Sequence, residues 1–291
     1  MNLKNYPRKK YAIEQFVQPL CYELNGEKFH FVMDDGRDYD LEFISDEELL
    51  WCWTGEEPKK AEYQCLKADD CTYLVDFELA EFENTMHRVN HCFVIDLEQR
   101  LVTRAICTEG YNPKLPYLIK SEYTFGAIDM EECDLPFIRH TFTAEMLGTR
   151  VEWHWSTKMV TRHSYFTTGY YRFTHEGSEK LVERDVLNPF SALPNDDDVA
   201  QYIKIKKNMY LFCLTEEAME RNLYDQNPPY RSNNMNFIQN YDRMFHVGRT
   251  FGSVLKEGQD EVVPCHITFG AFGNPTVIDP VVLEAPNPYG V

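Results

Sequence analysis

The sequence predicts an all-β protein made of two tandem antiparallel β-barrels that are related by an internal repeat. Hydrophobic residues make up 43% of the chain and aromatic residues 14%, which is enough apolar material for substantial cores. Short segments of alternating apolar residues recur at intervals of roughly 8–12 residues, with few helical signals between them, as is typical of barrels and sandwiches. Several short stretches of the first half return in the same order in the second half.

Alternating residues indicate the strands along the chain. In the first half, Asp35-Gly36 predicts a two-residue hairpin turn within Glu27–Phe43. Further strands are predicted at Leu49–Thr54, Cys71–Leu79, His91–Leu97, Leu101–Thr108, Arg150–Ser156, Val160–Thr167, Gly169–Thr174, Tyr202–Lys206, Met209–Thr215, Met235–Tyr241 and Met244–Thr250. Only Ala12–Gln18 and Glu216–Leu223 favour short helical turns. Closed barrels fit this pattern best because closure removes the sheet edges, and a β-sandwich is the alternative.

The repeat is carried by a few ordered matches. Residues 124–127 (TFGA) recur at 268–271, which is 144 positions later, and at the same offset Phe93 corresponds to Phe237. The Tyr-Leu pair of the segment CTYLVDFELAEFE returns in NMYLFCLTEEAMER at an offset of 137. We therefore predict two copies of one fold unit.

The repeat predicts two domains. The first, at 1–130, is expected to be mainly structural, and the second, at 131–291, is expected to carry the ligand pocket. Residues 131–144 are predicted to join them.

Charge and cysteine content exclude several classes of protein. The formal net charge of −18 argues against nucleic acid as a partner, since phosphate binding needs a basic surface. The nine cysteines are odd in number and contain no Cys-x-x-Cys motif, so free thiols in a reducing compartment are expected. No segment resembles a signal peptide or a membrane span. The sequence thus predicts a cytoplasmic protein without membrane partners, and a homo-oligomer is compatible with it.

Segments of the second half resemble a known family. Residues 139–148 (RHTFTAEMLG), followed by VEWHWS at 151–156, resemble the opening of the C-terminal domain of the MoaF-like family, which is labelled molybdenum cofactor biosynthesis protein F. RHSY at 162–165, Asp185, YLFCLTE at 210–216 and GRTFG at 248–252 are similar to further parts of that pattern, although Leu214 replaces its tryptophan. In the first half the resemblance is looser, over Gly26–Trp51 and the strand at Phe93. The resemblance implies two lipocalin-like (calycin-type) barrels.

Strand parity in the second half predicts a ligand pocket. Glu216 shares the parity of Tyr210 and Phe212, so on a continued strand it would enter an aromatic cavity, where burial raises a carboxyl pKa towards neutrality. The predicted catalytic residues are Glu216, His163 and Tyr165, and the predicted substrate-binding residues are Trp153, Trp155, Tyr210, Phe212 and Arg162. Two alternatives remain open: the strand ends at Thr215 and Glu216 lies in solvent, or the aromatic residues form an ordinary barrel core.

The first copy differs at the key position. Leu79 stands where Glu216 stands in the second copy, so the first barrel is expected to be a filled, structural one. The sequence has no phosphate loop, no nucleophile elbow and no convincing metal-ligand spacing, and neither a metal nor an organic cofactor is predicted.

These residues predict an enzyme that works without a cofactor on a small apolar or aromatic molecule by acid–base catalysis. A lyase, an isomerase or a cyclase is expected. The alternatives are a small-molecule carrier of the lipocalin type and a purely structural protein with filled barrels.

Overall fold

The computed structural model describes residues 16–79, 87–112, 114, 118–130, 133–157, 159–176, 196–215, 232–255 and 262–275. Within these ranges all regular elements are β-strands, and they form two closed antiparallel barrels of eight strands each. The predicted fold class is therefore confirmed. No helix in the described part of the chain is long and apolar enough to cross a membrane.

The first barrel is closed by pairing between its first and last strands. Its strands are β1 (Lys28–Met33), β2 (Tyr39–Phe43), β3 (Glu48–Trp53), β4 (Lys59–Lys67), β5 (Thr72–Glu78), β6 (Arg88–Asp96), β7 (Leu101–Glu109) and β8 (Ile119–Asp129). The sequence analysis does not assign β4 or β8, whose apolar residues are diluted by charged ones. The β1–β2 connection spans residues 34–38, which is longer than the predicted two-residue turn, and Gly36 supplies its left-handed conformation with φ of 75°.

The second barrel carries one additional short strand. Its elements are β9 (Thr141–Phe142), β10 (Thr149–His154), β11 (Val160–Tyr165), β12 (Tyr170–Glu176), β13 (Asp196–Lys206), β14 (Met209–Thr215), β15 (Ser232–Asn240), β16 (Phe245–Leu255) and β17 (Val262–Pro275). The barrel is closed by β10–β17 and β12–β13 pairing, while β9 pairs with the other half of β13. The predicted helical turn at Glu216–Leu223 lies outside the described residues, and only the end of Ala12–Gln18 lies within them.

The two barrels repeat one strand order, so that β1–β8 correspond to β10–β17. Tyr73 on β5 and Tyr210 on β14 hold the same register against the next strand. Phe93 on β6 and Phe237 on β15 both point into the interior of their own barrel. These matches support the predicted repeat.

The last strand of each barrel departs from the predicted alignment by one residue. Phe125 on β8 packs outside its barrel, in the cluster between the two barrels, whereas Phe269 on β17 points into the second barrel. The expected superposition of these two phenylalanines is therefore wrong. Side chains alternate between the two faces of a strand, so a slip of one residue reverses the face.

The two barrels contact each other through apolar and charged side chains. Leu74, Val94 and Ala105 of the first barrel pack with Leu211 and Ile238 of the second. A buried polar network lies beside them, formed by Asp76, Glu78, Arg88 and Glu109 of the first barrel with Arg249, Ser253 and His266 of the second. The members of this network lie far apart in the chain, so no local sequence pattern predicts it.

A further contact between the barrels is made by residues 16–24, here called the N-terminal strap. The Phe16 amide donates to the carbonyl oxygen of Trp155 at 3.2 Å, on the second barrel. The Cys21 amide donates to the carbonyl oxygen of Cys65 at 2.8 Å, on the first barrel. Leu24 is buried in the interior of the first barrel. The strap therefore touches both barrels before β1 begins.

Candidate functional site

Strand alternation brings most of the predicted site residues into the interior of the second barrel. The predicted residues with buried, inward-facing side chains are Trp153 on β10, Trp155 just after it, His163 and Tyr165 on β11, and Tyr210 and Phe212 on β14. The sequence placed these side chains on one parity of each strand, and the structure places them on one common face.

Two predicted residues are not part of this group. Arg162 has the opposite parity to His163, so its guanidinium lies on the outside of the barrel and pairs with Glu152 at 3.4 Å. The structure thus places Arg162 on a different face from the other predicted residues of β11. Strand β14 ends at Thr215, and Glu216, the predicted acid–base residue, lies outside the described residues, as does Asp185.

The inward-facing aromatic rings pack directly against each other. Phe212 lies at the centre, with ring centroids of its neighbours at 4.9–6.4 Å. These neighbours are His163, Tyr165, Tyr171, Tyr202 and Phe237. At the level of Phe212 these aromatic rings contact one another.

One chain of hydrogen bonds holds the imidazole of His163. Trp155 Nε1 donates to Thr161 Oγ1 at 2.7 Å, and Thr161 Oγ1 lies 3.0 Å from His163 Nε2. Thr161 and His163 are two residues apart on β11 and therefore face the same interior. This chain fixes the orientation of the imidazole ring relative to the indole of Trp155.

A second chain surrounds Tyr165. Gln239 Nε2 donates to the Tyr165 hydroxyl at 2.9 Å, and Trp153 Nε1 donates to it at 3.3 Å. Burial raises the pKa of Tyr165 to about 12, although these hydrogen bonds oppose the shift. Tyr165 is therefore a protonated hydroxyl at neutral pH and can donate a hydrogen bond, but it does not act as a base there.

The structure adds His246 on β16, which the sequence analysis did not select. Its ring centroid lies 4.6 Å from Trp153, 4.7 Å from Trp155 and 4.9 Å from Phe237. Burial, and then the proximity of His163, hold the pKa of His246 well below 6.5, so the ring is neutral. Its Nδ1 is buried and has no hydrogen-bond partner among the described residues. His246 and Thr250 are four residues apart on β16, so their side chains face the same side of the strand. This alternation is the sequence signal from which the inward orientation of His246 could have been predicted.

Comparison of equivalent strand positions distinguishes the two interiors. Six inward-facing positions are polar in the second barrel and apolar in the first. The polar residues are His163, Asp198, Asn233, Gln239, His246 and Thr250, and their respective counterparts are Leu41, Ala61, Val89, Ile95, Val102 and Ile106. Burying a polar side chain costs free energy, and apolar side chains at the same positions suffice in the first barrel. The polar residues of the second barrel therefore indicate a role other than packing.

The first barrel has polar interior residues at other positions. The hydroxyl of Tyr39 lies 2.7 Å from Nδ1 of His91, and Arg104 pairs with Asp35 at the β1–β2 turn. Burial first, and then Arg104 and Arg37, lower the pKa of His91 to about 3. Each of these side chains has a partner in the protein, so this interior resembles a satisfied core.

The described surface has two depressions away from the predicted residues. A depression of about 440 Å³ lies on the first barrel around His30, Asp40 and Cys52, and another of about 340 Å³ lies beside β9. Neither includes a predicted site residue. Among the described residues, no group of three or more His, Cys, Asp or Glu side chains is arranged to hold a metal ion.

Comparison with known proteins finds a family similarity in the first half of the chain. Residues 11–109 match the model of the MoaF N-terminal domain. This match confirms the predicted resemblance to the MoaF family, and it includes the N-terminal strap and β1–β7. The resemblance that the sequence analysis drew on the second half stays a prediction. No curated protein matches the sequence.

Proposed function

We propose that the second barrel binds a small, largely aromatic molecule that carries a hydroxyl or carbonyl group. The supporting observation is the set of six buried polar positions that the first barrel fills with apolar side chains. The buried Nδ1 of His246 and the hydroxyl of Thr250 have no hydrogen-bond partner among the described residues. A buried polar atom left unpaired costs about 1–3 kcal/mol, and a ligand group that pairs with it recovers this free energy.

The aromatic side chains of the interior determine the shape and polarity expected of the ligand. The rings of Trp155, Tyr171 and Phe212 supply flat apolar surfaces around His163. An apolar site with few polar groups is the usual composition of a small-molecule pocket. We therefore expect a planar apolar body with one or two hydrogen-bonding substituents, and no charged phosphate.

The experiment compares two probes on the full chain. 2-Naphthol carries one hydroxyl, and naphthalene has the same ring system without it. We expect 2-naphthol to bind about five- to tenfold more tightly, because one satisfied buried hydrogen bond contributes on the order of 1–1.5 kcal/mol. Fluorescence titration and native mass spectrometry provide the measurements.

Variants that carry first-barrel residues at the equivalent positions of the second barrel test where the probe binds. His246→Val and Thr250→Ile introduce the residues that stand at the equivalent positions, Val102 and Ile106, and should abolish the preference for 2-naphthol. The matched control, Ile106→Val in the first barrel, should leave both affinities unchanged. Equal binding of the two probes to the wild type, or sensitivity to the control alone, would contradict the proposal.

Acid–base catalysis on the bound molecule is the second candidate function. The observation that favours it is the presence of two imidazoles, of His163 and His246, in one aromatic interior. Neutral imidazole accepts a proton, and a positioned base contributes typically 10²–10⁴-fold to a rate. Decarboxylation, isomerisation or cyclisation, which are the lyase, isomerase and cyclase chemistries predicted above, would be the expected reactions.

Turnover and binding separate the two candidates. Once a converted compound is found, Glu216→Gln and His163→Gln should each lower turnover by about 10²–10⁴-fold if the residue transfers a proton. Ligand affinity should change much less. Tight binding by the wild type, with no conversion of any aromatic acid or ketone offered, would favour a carrier.

A further inference from the structure

Two cysteines meet where the N-terminal strap joins the first barrel. The backbone amide of Cys21 donates to the carbonyl oxygen of Cys65 at 2.8 Å, so the strap runs along the edge of β4 at this point. Both side chains belong to the interior cluster of the first barrel. Their thiols lie close enough for each to shift the pKa of the other.

This geometry suits a disulfide. Residues of antiparallel chains that are joined by backbone hydrogen bonds have Cα atoms about 5.5 Å apart, and a disulfide requires a Cα separation of about 4.4–6.8 Å. Both side chains enter the same interior cluster beside this backbone hydrogen bond, which is the arrangement that a disulfide between them needs. All nine cysteines are free thiols in the structure.

The two thiols differ in their chemistry. The hydrogen bond from Cys65 lowers the pKa of Cys21 to about 6, helped by the backbone amide of Glu23 and the charge of Lys67, while burial opposes the shift. The same hydrogen bond and burial raise the pKa of Cys65. Cys21 is therefore the nucleophilic thiolate and Cys65 the protonated partner, since reactivity follows thiolate character.

We propose that Cys21 and Cys65 form a peroxide-sensitive, reversible disulfide that attaches the N-terminal strap to β4. The Cys21 thiolate attacks one oxygen of hydrogen peroxide, the O–O bond breaks, and hydroxide leaves with a proton from solvent as water. The resulting sulfenic acid is attacked by the Cys65 sulfur, which loses its proton. The sulfenic oxygen leaves as a second water. Two thiols are thus oxidised to one disulfide while one peroxide is reduced to two waters.

The disulfide would act on the segment that contacts both barrels. Phe16 bonds to Trp155 of the second barrel, and Leu20 packs in the cluster between the barrels. A covalent bond at Cys21 prevents the strap from leaving β4 while its first residues remain free to part from the second barrel. Oxidation would therefore fix the N-terminal strap to the first barrel. It would not close the interior of the second barrel, which is proposed to bind ligand.

The experiment treats the folded full chain with a small excess of hydrogen peroxide and then alkylates it under denaturing conditions. Peptide mass mapping should recover one cross-linked pair containing Cys21 and Cys65, with loss of alkylation at both residues. Dithiothreitol should restore both. Buried Cys92, whose pKa burial raises to about 12, serves as the internal comparison and should stay fully alkylated.

Two variants and a second measurement complete the test. Cys21→Ser should abolish the cross-link and leave Cys65 alkylated, while Cys92→Ala should leave the cross-link unchanged. Amide hydrogen exchange of residues 16–24 should slow on oxidation of the wild type and not of Cys21→Ser. Unchanged alkylation of Cys21 and Cys65 in peroxide-treated wild type, or a cross-link between other cysteines, would overturn the proposal.

Discussion

Arg249 on β16 donates its Nε proton to Oδ1 of Asp76 on β5 at 3.0 Å, across the contact between the two barrels. Both side chains are almost fully buried, and Nη1 of Arg249 also donates to the backbone and side-chain oxygens of Asn234. A charge pair buried this deeply is costly to break, because the remaining partner cannot return to water.

Arg249→Met should therefore lower the free energy of unfolding by about 3–5 kcal/mol. The matched control is Arg243→Met, since Arg243 pairs with Asp70 at 3.0 Å on the exposed surface. That change should cost less than about 1 kcal/mol. Urea denaturation of the two variants provides the comparison. Equal decreases in the free energy of unfolding would show that the buried pair contributes no more than the exposed one.

The buried histidines His266 and His91 should give opposite pH dependences of stability. Burial opposes the charged form of His266, but Asp76 and Glu78 raise its pKa to about 9. A raised histidine pKa stabilises the fold below the ordinary value of 6.5, and this contribution is lost as the pH rises from 6.5 through 9. Burial lowers the pKa of His91 to about 3, so its contribution is present above 6.5 and is lost as the pH falls from 6.5 towards 3.

The loss on the alkaline side can be assigned to one residue. Urea midpoints measured from pH 6 to 10 should have a more negative slope for the wild type than for His266→Gln, which starts from a lower stability. Cys21, whose pKa lies at about 6, contributes in the opposite direction in both proteins and cancels in this comparison. His30→Gln, on the outer face of the first barrel, should retain the wild-type slope, and equal slopes for the wild type and His266→Gln would exclude a protonated His266.

Two interior threonines should respond oppositely to the same substitution. Thr250 Oγ1 is buried with no hydrogen-bond partner among the described residues, so Thr250→Val should stabilise the fold by about 1 kcal/mol. Thr161 Oγ1 accepts from Trp155 and contacts His163, so Thr161→Val should destabilise by about 1–3 kcal/mol. Thermal unfolding of both variants tests this, and destabilisation by Thr250→Val would indicate that its hydroxyl is paired.

The N-terminal strap should depend on a glycine of the second barrel. A Cβ at Gly270 would lie 2.9 Å from the carbonyl oxygen of Phe16 and 3.0 Å from Cα of Val17. Gly270→Ala should therefore displace the strap, cost about 1–3 kcal/mol and speed amide exchange at residues 16–20. Gly169→Ala, where a Cβ would meet nothing within 4 Å, is the control and should be neutral or slightly stabilising. Unchanged exchange in Gly270→Ala would mean that the strap is not held there.

Several features of the fold follow from local sequence. Alternation along β1–β2, β5, β6, β10, β11 and β14 predicts these strands and the face that each residue occupies, because the side-chain period of a strand is two. The ordered matches of Tyr73 with Tyr210 and of Phe93 with Phe237 predict two copies of one barrel, and both pairs hold equivalent positions. For the same reason, Trp153, His163, Tyr165 and Phe212 could be assigned to one interior from sequence.

Other features depend on pairing between distant strands. Local identity suggested that Phe125 matches Phe269, yet strand registers set by their neighbours place these residues on opposite faces. Strand alternation does not show which residues surround His246. The closed barrel brings Trp153 and Trp155 into contact with its ring. Asp76 meets Arg249 and His266 only because two closed barrels dock. Sequence determined which side chains alternate along each strand, and tertiary structure decided which of them meet, because closure and docking join residues that no local pattern connects.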